Sequence, residues 1–517
     1  MSPKLFCISI FLLSVTALIH DTEIETPKVC QKTKVVVLGA GIAGIAAAQA
    51  LSQNGVKDFI LVEYNADIGG RCRHTSFGED RNGDPYTVEL GANWVQGTVT
   101  GDGPENPIWT MAKKHNLRTH ASDSSSLLTY GPTGQVDYVD KLREFDAYYS
   151  KVETGNGRIS RPAESQQPLN SDDMEDTDLR SALSKAGYPP ENDPQARTAE
   201  WYKVDYEYAQ PPELSSRSRT LASYNSTFRH FSPTSHFSLD PRGFNTLIHG
   251  LASTYLAPSD SRLHLSTIVR NITYNPSNIT IHNTDGSCIT ASHAITTFSL
   301  GVLKSPLITF TPPLPDSKTA SIAKMSMGTY TKIFMQFPQD KIFWNTSTEF
   351  FLYASPHTRG YYPLFQSLSH KDFFPGSGIL IATVTSPFSS IVESQPLETT
   401  KCQVLDLLRE MFGVENVPEP TAFMLPKWGE LEWAKGSFSN WPPGFTLDEH
   451  DDLRRTVGGR LWWAGEHTSR EWYGYLHGAF DEGRSVGMRV ARCVSDPESR
   501  DCLDLDSNEA YREETVD

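Results

Sequence analysis

The chain has 517 residues, 38% of them hydrophobic, a length beyond one ordinary core, so a single small domain is excluded and two or more lobes built on separate sheets are expected. Lys+Arg 46 against Asp+Glu 62 gives a formal net charge of −16, which disfavours nucleic acid and anionic membranes and attracts cationic small molecules. Salt screens that attraction beyond roughly 10 Å, so the charge excludes more than it assigns.

In chain order, Lys4 precedes an apolar run from Leu5 to Ile19, with small residues near Thr16 and Ala17 and polar chain from His20. Residues 1–20 are expected to be a signal peptide, because the run is shorter than the ~20 apolar residues of a spanning helix. No later segment reads as membrane-spanning, so no membrane partner is expected after cleavage. Four Asn-x-Ser/Thr sequons, at Asn225, Asn271, Asn278 and Asn345, agree with a secreted, extracellular protein. Of 7 cysteines, Cys7 leaves with the signal peptide, and Cys30, Cys72, Cys288, Cys402, Cys493 and Cys502 remain. Cys493 and Cys502 flank a turn at Asp496-Pro497; they pair with each other, or one reaches Cys30, and the spacing does not decide. No CxxC and no metal-like Cys/His spacing occurs, so no metal is expected.

Lys34-Val-Val-Val-Leu-Gly39 reads as a buried parallel strand ending in a glycine turn, Ile45 to Asn54 as an Ala-rich helix closed by Gly55, and Phe59 to Glu63 as a second strand. Together they make a βαβ unit. From Ser122 to Arg219 the chain is polar with helical stretches, an inserted lobe. Strands return between Leu263 and Leu303 around a turn at Thr284-Asp-Gly286, and a mixed segment runs from Tyr330 to Leu425. Leu461-Trp-Trp-Ala464 is one more buried strand, followed by a glycine and a closing helix through Val490, and the chain from Ser495 to Asp517 is acidic and expected to fray.

Gly39-Ala-Gly41-Ile-Ala-Gly44 sits between the first strand and its helix, the setting in which G-x-G-x-x-G signifies a dinucleotide. Gly39 allows the turn, Gly41 lets a pyrophosphate approach the backbone, Gly44 lets helix and strand pack, and the helix N-terminus faces the phosphate charge. Glu63, at the end of the second strand, is the carboxylate expected on the ribose hydroxyls. Asp67-Ile-Gly69-Gly70-Arg71 follows directly and offers more flexible backbone and a guanidinium to the same pyrophosphate, which favours FAD over NAD. Ala464-Gly465-Glu466-His467-Thr468 reads as a second cofactor contact, with Glu466 on the ribityl hydroxyls and the next helix aiming its amides at the electron-rich end of a reduced flavin.

On these motifs the chain resembles the flavin amine oxidase family, most closely secreted plant-type polyamine oxidases. Further shared stretches are Val88-Glu-Leu-Gly-Ala-Asn-Trp94, Val204-Asp-Tyr-Glu207, Ser299-Leu-Gly-Val-Leu303, Tyr330-Thr-Lys332-Ile-Phe, Phe351-Leu-Tyr-Ala-Ser355, Lys435-Gly-Ser-Phe438-Ser-Asn-Trp441 and Gly465-Glu-His-Thr-Ser469. The resemblance implies an α/β fold: a Rossmann-like FAD-binding lobe assembled from residues 32–112, 230–317 and 428–493, a substrate lobe of mixed sheet and helices from 113–229 and 318–427, and an acidic tail over 494–517. It implies FAD contacts from Gly39, Gly41, Gly44, Glu63, Gly70 and Arg71, then from Ala92, Asn93, Trp94, Val269, Trp428 and Glu466. It assigns catalysis to Lys332, whose family counterpart holds a water against flavin N5. Trp94, Tyr330, Phe438 and Tyr475 match tunnel aromatics suited to an alkyl chain and a nearby ammonium.

Two departures bear on function. Some monoamine oxidases of the wider family attach FAD through a cysteine where this chain has Ser437, so noncovalent FAD is expected. Plant-type enzymes carry an acid where this chain has Gln96, although Glu207 is kept, which weakens the case for fully charged spermine or spermidine and leaves room for acetylated polyamines. The expected reaction oxidises the carbon beside a secondary amine and hydrolyses the imine to amine and aldehyde, with oxygen becoming hydrogen peroxide. The expected partners are therefore a small amine and oxygen, with the protein a monomer. Alternatives are an oxidase of a secondary-metabolite amine, an amino-acid oxidase, which needs a deep arginine that no motif supplies, and a secreted flavoprotein without turnover.

Overall fold

The computed structural model describes residues 29–154, 176–188, 192–499 and 502; the signal peptide read over 1–20, with Cys7, and most of the acidic tail lie outside the described residues. The expected first unit is present: strand Gln31–Leu38, helix Ile42–Gln53 and strand Phe59–Val62, with the strands parallel and Val36 opposite Ile60. Val35 to Leu38 are fully buried because both faces are covered: Val35 and Val37 pack under the helices, while Val36 and Leu38 pack with Ile60, Ile281 and Trp463 on the other face. The helix begins at Ile42, three residues before the expected start, with Gly41 as its cap. Gly44 sits inside its first turn because the helix rests directly on the Gly39 backbone there; a Cβ on Gly44 would lie 1.9 Å from the Gly39 carbonyl oxygen.

The first sheet has eight strands. Its order is Leu263–His264, Phe59–Val62, Gln31–Leu38, Cys288–Thr296, Ile279–Asn283, Val269–Tyr274 and Thr309–Thr311, with Leu461–Trp463 also pairing with Cys288–Thr296. The turn expected at Thr284-Asp-Gly286 joins two of these as an antiparallel hairpin, with Gly286 at φ 77°. The closing helix runs Leu476–Ser495, five residues past the expected end, and lies against Ile42–Gln53. Small residues permit that approach: a Cβ on Gly483 would stand 2.1 Å from the Ala43 carbonyl oxygen.

A second sheet of seven strands runs Ala422–Met424, Tyr330–Gln336, Ile379–Thr385, Leu364–Ser367, Phe350–Tyr353, Leu127–Gly131 and Gly134–Gln135. It is mixed, because Phe350–Tyr353 pairs parallel with Leu127–Gly131 while its other described pairings are antiparallel. Helices Val139–Thr154, Leu179–Lys185, Pro194–Lys203 and Arg217–Tyr224 belong to the same half, three of them started by side-chain caps from Asp178, Asp193 and Ser216. The chain thus passes between the two sheets repeatedly: strands of the first come from 31–62, 263–311 and 461–463, those of the second from 127–135 and 330–424.

Among the described residues two disulfides are formed, Cys30–Cys288 and Cys493–Cys502. The alternative of Cys30 reaching the C-terminal pair is corrected by strand register, since Gln31 lies opposite Ile289 in a parallel pair and the preceding residues therefore meet. Cys72 and Cys402 are free. Among the described residues no helix is long and apolar enough to cross a membrane, and no group of three or more His, Cys, Asp or Glu is placed to hold a metal.

Candidate active site

A cavity of about 840 Å³ extends from the carboxyl ends of the first sheet to the second sheet, large among small-molecule and cofactor sites. Every site residue singled out from sequence lines it except Gly44, which lies beneath its floor.

At the first-sheet end, Gly39 turns at φ 110°, a backbone region that favours glycine, and its amide donates to the Val62 carbonyl at 2.8 Å. Glu63, only 5% exposed, accepts from the Ala40 amide at 2.8 Å through one oxygen and from the Asn65 amide at 2.9 Å through the other. Gly70 comes so close to Gly41 that a Cβ on it would lie 3.2 Å from the Gly41 Cα, so no side chain intrudes before the helix N-terminus. A bare cradle of backbone at a helix start, beside a buried carboxylate, fits the pyrophosphate and ribose of a dinucleotide. Val269 lines this part of the cavity from the same sheet.

Midway, Arg71 and Glu466 turn onto each other. Arg71 Nη1 donates to Glu466 Oε1 at 2.8 Å and to the Ser437 carbonyl at 2.9 Å, while Glu466 also accepts from the Ser439 hydroxyl and, at 2.9 Å, from the Gly474 amide. Burial acts to raise the Glu466 carboxyl, but the Arg71 guanidinium, His467 and the Ser439 hydroxyl hold it below the usual range. The guanidinium expected on the pyrophosphate and the carboxylate expected on ribityl hydroxyls thus form one ion pair in the cavity wall, Glu466 buried and Arg71 partly so. The Ala92 amide bonds the Arg71 carbonyl at 3.2 Å, the Trp428 indole donates to the Leu90 carbonyl at 3.2 Å, and Asn93 and Trp94 continue the wall.

At the second sheet, Lys332 enters from the middle of Tyr330–Gln336 and is 5% exposed. Its Nζ donates to the Gly91 carbonyl at 2.7 Å and the Glu89 carbonyl at 3.2 Å. Burial pushes this amine down to about 7, opposed by the Glu89 carboxyl, which burial pushes up to about 7. A neutral amine has two N–H groups, and both are taken by carbonyls, so its lone pair stays available to a water or a proton. Phe438 lies 6.1 Å from the Tyr330 ring, and the Ser437 hydroxyl is held by the Tyr330 main chain, accepting from its amide at 2.8 Å and donating to its carbonyl at 3.1 Å.

A further part of the cavity is lined by Gln96 and Glu207. Gln96 Nε2 donates to Glu207 Oε1 at 3.3 Å, and the Tyr475 hydroxyl donates to the same oxygen at 2.5 Å. Burial raises the Glu207 carboxyl and the Tyr475 hydroxyl opposes the rise. Sequence reasoning missed several aromatic walls here: Tyr206, stacked on Tyr202 at 5.7 Å and tilted against Tyr330 at 5.7 Å, and Tyr224, Phe228 and Phe350. Tyr206 lies inside the quoted stretch Val204-Asp-Tyr-Glu207, which was its only local signal; the others read as ordinary core. The arrangement can hold a dinucleotide, seat a cation beside aromatic rings, and move a proton at a buried amine.

A family model described as flavin containing amine oxidoreductase matches residues 42–491. Polyamine oxidase 1 of Zea mays is 36% identical over 478 residues, covering 89% of this chain and 91% of that protein. Polyamine oxidase 7 of Oryza sativa subsp. japonica is 35% identical over 463 residues, covering 87% and 93%. Among solved structures, wild-type putrescine oxidase bound to putrescine aligns with a TM-score of 0.69 at 17% identity, over 89% of this chain and 98% of that one, a likeness of fold.

Proposed function

The chain belongs to the flavin-containing amine oxidoreductase family and is an FAD-dependent amine oxidase, and from that premise we propose that it oxidises a polyamine, whether spermine, spermidine or an N-acetylated derivative, at a carbon next to a secondary amine. The balanced reaction takes the amine, oxygen and water to an aldehyde, a shorter amine and hydrogen peroxide. The observation that carries this reading is the cavity's two-ended polarity: a half-buried carboxylate, Glu207, ringed by aromatics at one place and a buried amine of depressed basicity, Lys332, at another. A chain with separated cationic and reacting nitrogens suits a cavity that holds both groups, with its alkyl part against Tyr206, Tyr330 and Phe438.

The bound flavin supplies a two-electron acceptor for the C–H bond. Gly39, Gly41, Gly70 and Glu63 would hold its adenosine and pyrophosphate, and Ala92, Asn93, Trp94, Trp428 and the Arg71–Glu466 pair its inner part. The protein's own part in chemistry falls to Lys332: burial pushes it down to about 7, so its neutral form is populated near pH 7, and in that form it holds a water by its lone pair and takes the proton released as that water adds to the imine carbon. Glu207 anchors a substrate ammonium, and the aromatic walls keep bulk water from the reacting carbon. With Ser437 where others carry cysteine, the flavin is held noncovalently.

The protein is proposed to be a secreted monomer. Two disulfides support an oxidising compartment. Of the sequons, Asn345, exposed in a loop, is best placed to carry a glycan, whereas the Asn271 amide is held by Thr309 and Thr311 at 2.7 and 3.1 Å. The decisive experiment is a peroxide-coupled assay across spermine, spermidine, their N-acetyl forms, monoamines and amino acids. Peroxide from polyamines alone supports the reading; peroxide only from amino acids or monoamines, or from none, overturns it.

A further inference from the structure

Tyr206 and Glu207 reach the cavity from one four-residue turn of helix, Asp205–Tyr208. So short a helix has no stability of its own, because nucleation fixes several dihedrals before hydrogen bonds compensate, and its position is set by what fastens its ends. At the C-terminal end Ala209 turns at φ 56° and its carbonyl accepts from the Ser386 amide at 3.1 Å. At the N-terminal end Asp205, 1% exposed, receives Arg359 in a fork, Nη1 to Oδ1 and Nη2 to Oδ2, both at 2.6 Å.

The same guanidinium donates from Nε at 3.1 Å and Nη2 at 2.8 Å to Glu200 Oε1 on the preceding helix, and Arg180 pairs with Glu200 from the other side. Two buried carboxylates and two partly exposed guanidiniums therefore compensate one another in one cluster, with the more exposed Glu213 3.6 Å from Arg180. Arg359 comes from the loop between strands Phe350–Tyr353 and Leu364–Ser367, so it ties the second sheet to the turn that bears Glu207.

We infer that Arg359 is a positioning residue for substrate selection: through its fork on Asp205 it sets where the Glu207 carboxylate and the Tyr206 ring meet the substrate's cationic end. The inference rests on Glu207 as the ammonium anchor. A lysine keeps the charge but not the planar fork that holds both Asp205 oxygens, so Arg359→Lys loosens the turn without leaving Asp205 and Glu200 uncompensated.

The test is a double-mutant cycle on the flavin-loaded enzyme, with KM and kcat for spermidine and flavin content measured for the parent, Arg359→Lys, Glu207→Gln and the double variant. Arg359→Lys should raise KM about ten-fold, with kcat and flavin content close to the parent's. In the Glu207→Gln background it should add little, because its effect passes through Glu207. KM effects that multiply independently, or an Arg359→Lys KM equal to the parent's when Glu207→Gln has raised it, overturn the inference. If Arg359→Lys does not retain flavin, Asp205→Asn, which keeps the side-chain shape, is carried through the same cycle with the same criteria. A silent Glu207→Gln in an enzyme that oxidises spermidine shows instead that the anchor reading fails, and the inference falls with it.

Discussion

Gln96 and Glu207 share a hydrogen bond of 3.3 Å on the very oxygen that accepts the Tyr475 hydroxyl, so the carboxylate lines the cavity with one oxygen already committed. The site therefore presents a single partly compensated negative charge. Replacing Gln96 with Glu would set a second carboxylate against the first in a half-buried place, which is unfavourable until a cation lies between them. Gln96→Glu should lower KM for spermine relative to N-acetylspermine by about ten-fold. An unchanged KM ratio means that residue 96 does not meet the substrate.

Lys332→Met tests the buried amine twice. Turnover should fall by roughly 10²–10⁴-fold with flavin retained, since a positioned proton-transfer group is lost, and stopped-flow reduction and reoxidation tell which step carries the loss. The control, Lys324→Met, removes a half-exposed lysine paired with Glu449 at 2.6 Å, and should leave turnover unchanged.

Stability should move the other way. The folded Lys332 amine titrates at about 7 while the unfolded chain keeps its proton to about 10.4, so between those values the unfolded state binds the extra proton and stability rises with pH. The cost of burying the group is full below pH ~7 and gone above pH ~10.4. Lys332→Met should therefore be more stable than the parent by about 1–3 kcal/mol near pH 7, after allowing for the two carbonyls that lose a donor, with the gap closing towards pH ~10. A variant whose Tm is lower than the parent's at pH 7 would show that the amine is held without cost.

Denaturation by acid should release FAD into the supernatant, because the Ser437 hydroxyl offers no thiol and is itself held by the Tyr330 main chain. Gly44→Ala should yield protein without flavin or no folded protein, since its Cβ would stand 1.9 Å from the Gly39 oxygen. Flavin absorbance that stays with the precipitate contradicts the first expectation, and full flavin occupancy in Gly44→Ala contradicts the second.

The two disulfides should differ in worth. Cys30–Cys288 closes a loop of sequence separation 258 and Cys493–Cys502 one of 9, and a longer closed loop restricts the unfolded chain more. The Cys30→Ser/Cys288→Ser double variant should lose ~2–5 kcal/mol, and the Cys493→Ser/Cys502→Ser variant less. Denaturant midpoints in the reverse order would show that the first bridge merely decorates strands already paired.

The dinucleotide cradle was legible in the chain because its parts are neighbours: strand, Gly39, Gly41, Gly44, helix and Glu63 lie within one βαβ unit, where period and glycine spacing carry the geometry. The same locality placed the hairpin at Thr284-Asp-Gly286. Helix ends were misjudged because glycine inside Ile42–Gln53 reads locally as a breaker, whereas close packing on Gly39 is what admits it. Arg359 gave no local signal, since an arginine in a loop is usually solvated and its two carboxylates lie 154 and 159 residues away.

Sequence alone thus determined the family, the cofactor class and the motif residues that border the cavity, though not its aromatic walls at Tyr206, Tyr224, Phe228 and Phe350, since only the former rest on short motifs whose spacing is chemistry. Only the tertiary structure decided the pairings. Strand register joined Cys30 to Cys288, assembly of the first half from segments far apart in the chain turned Arg71 onto Glu466 across 395 residues, and the meeting of the strand Trp94–Gln96 with the turn Asp205–Tyr208 brought Gln96 to Glu207 across 111. Such pairs depend on where distant segments come to rest after the cores are packed, and no local periodicity encodes that.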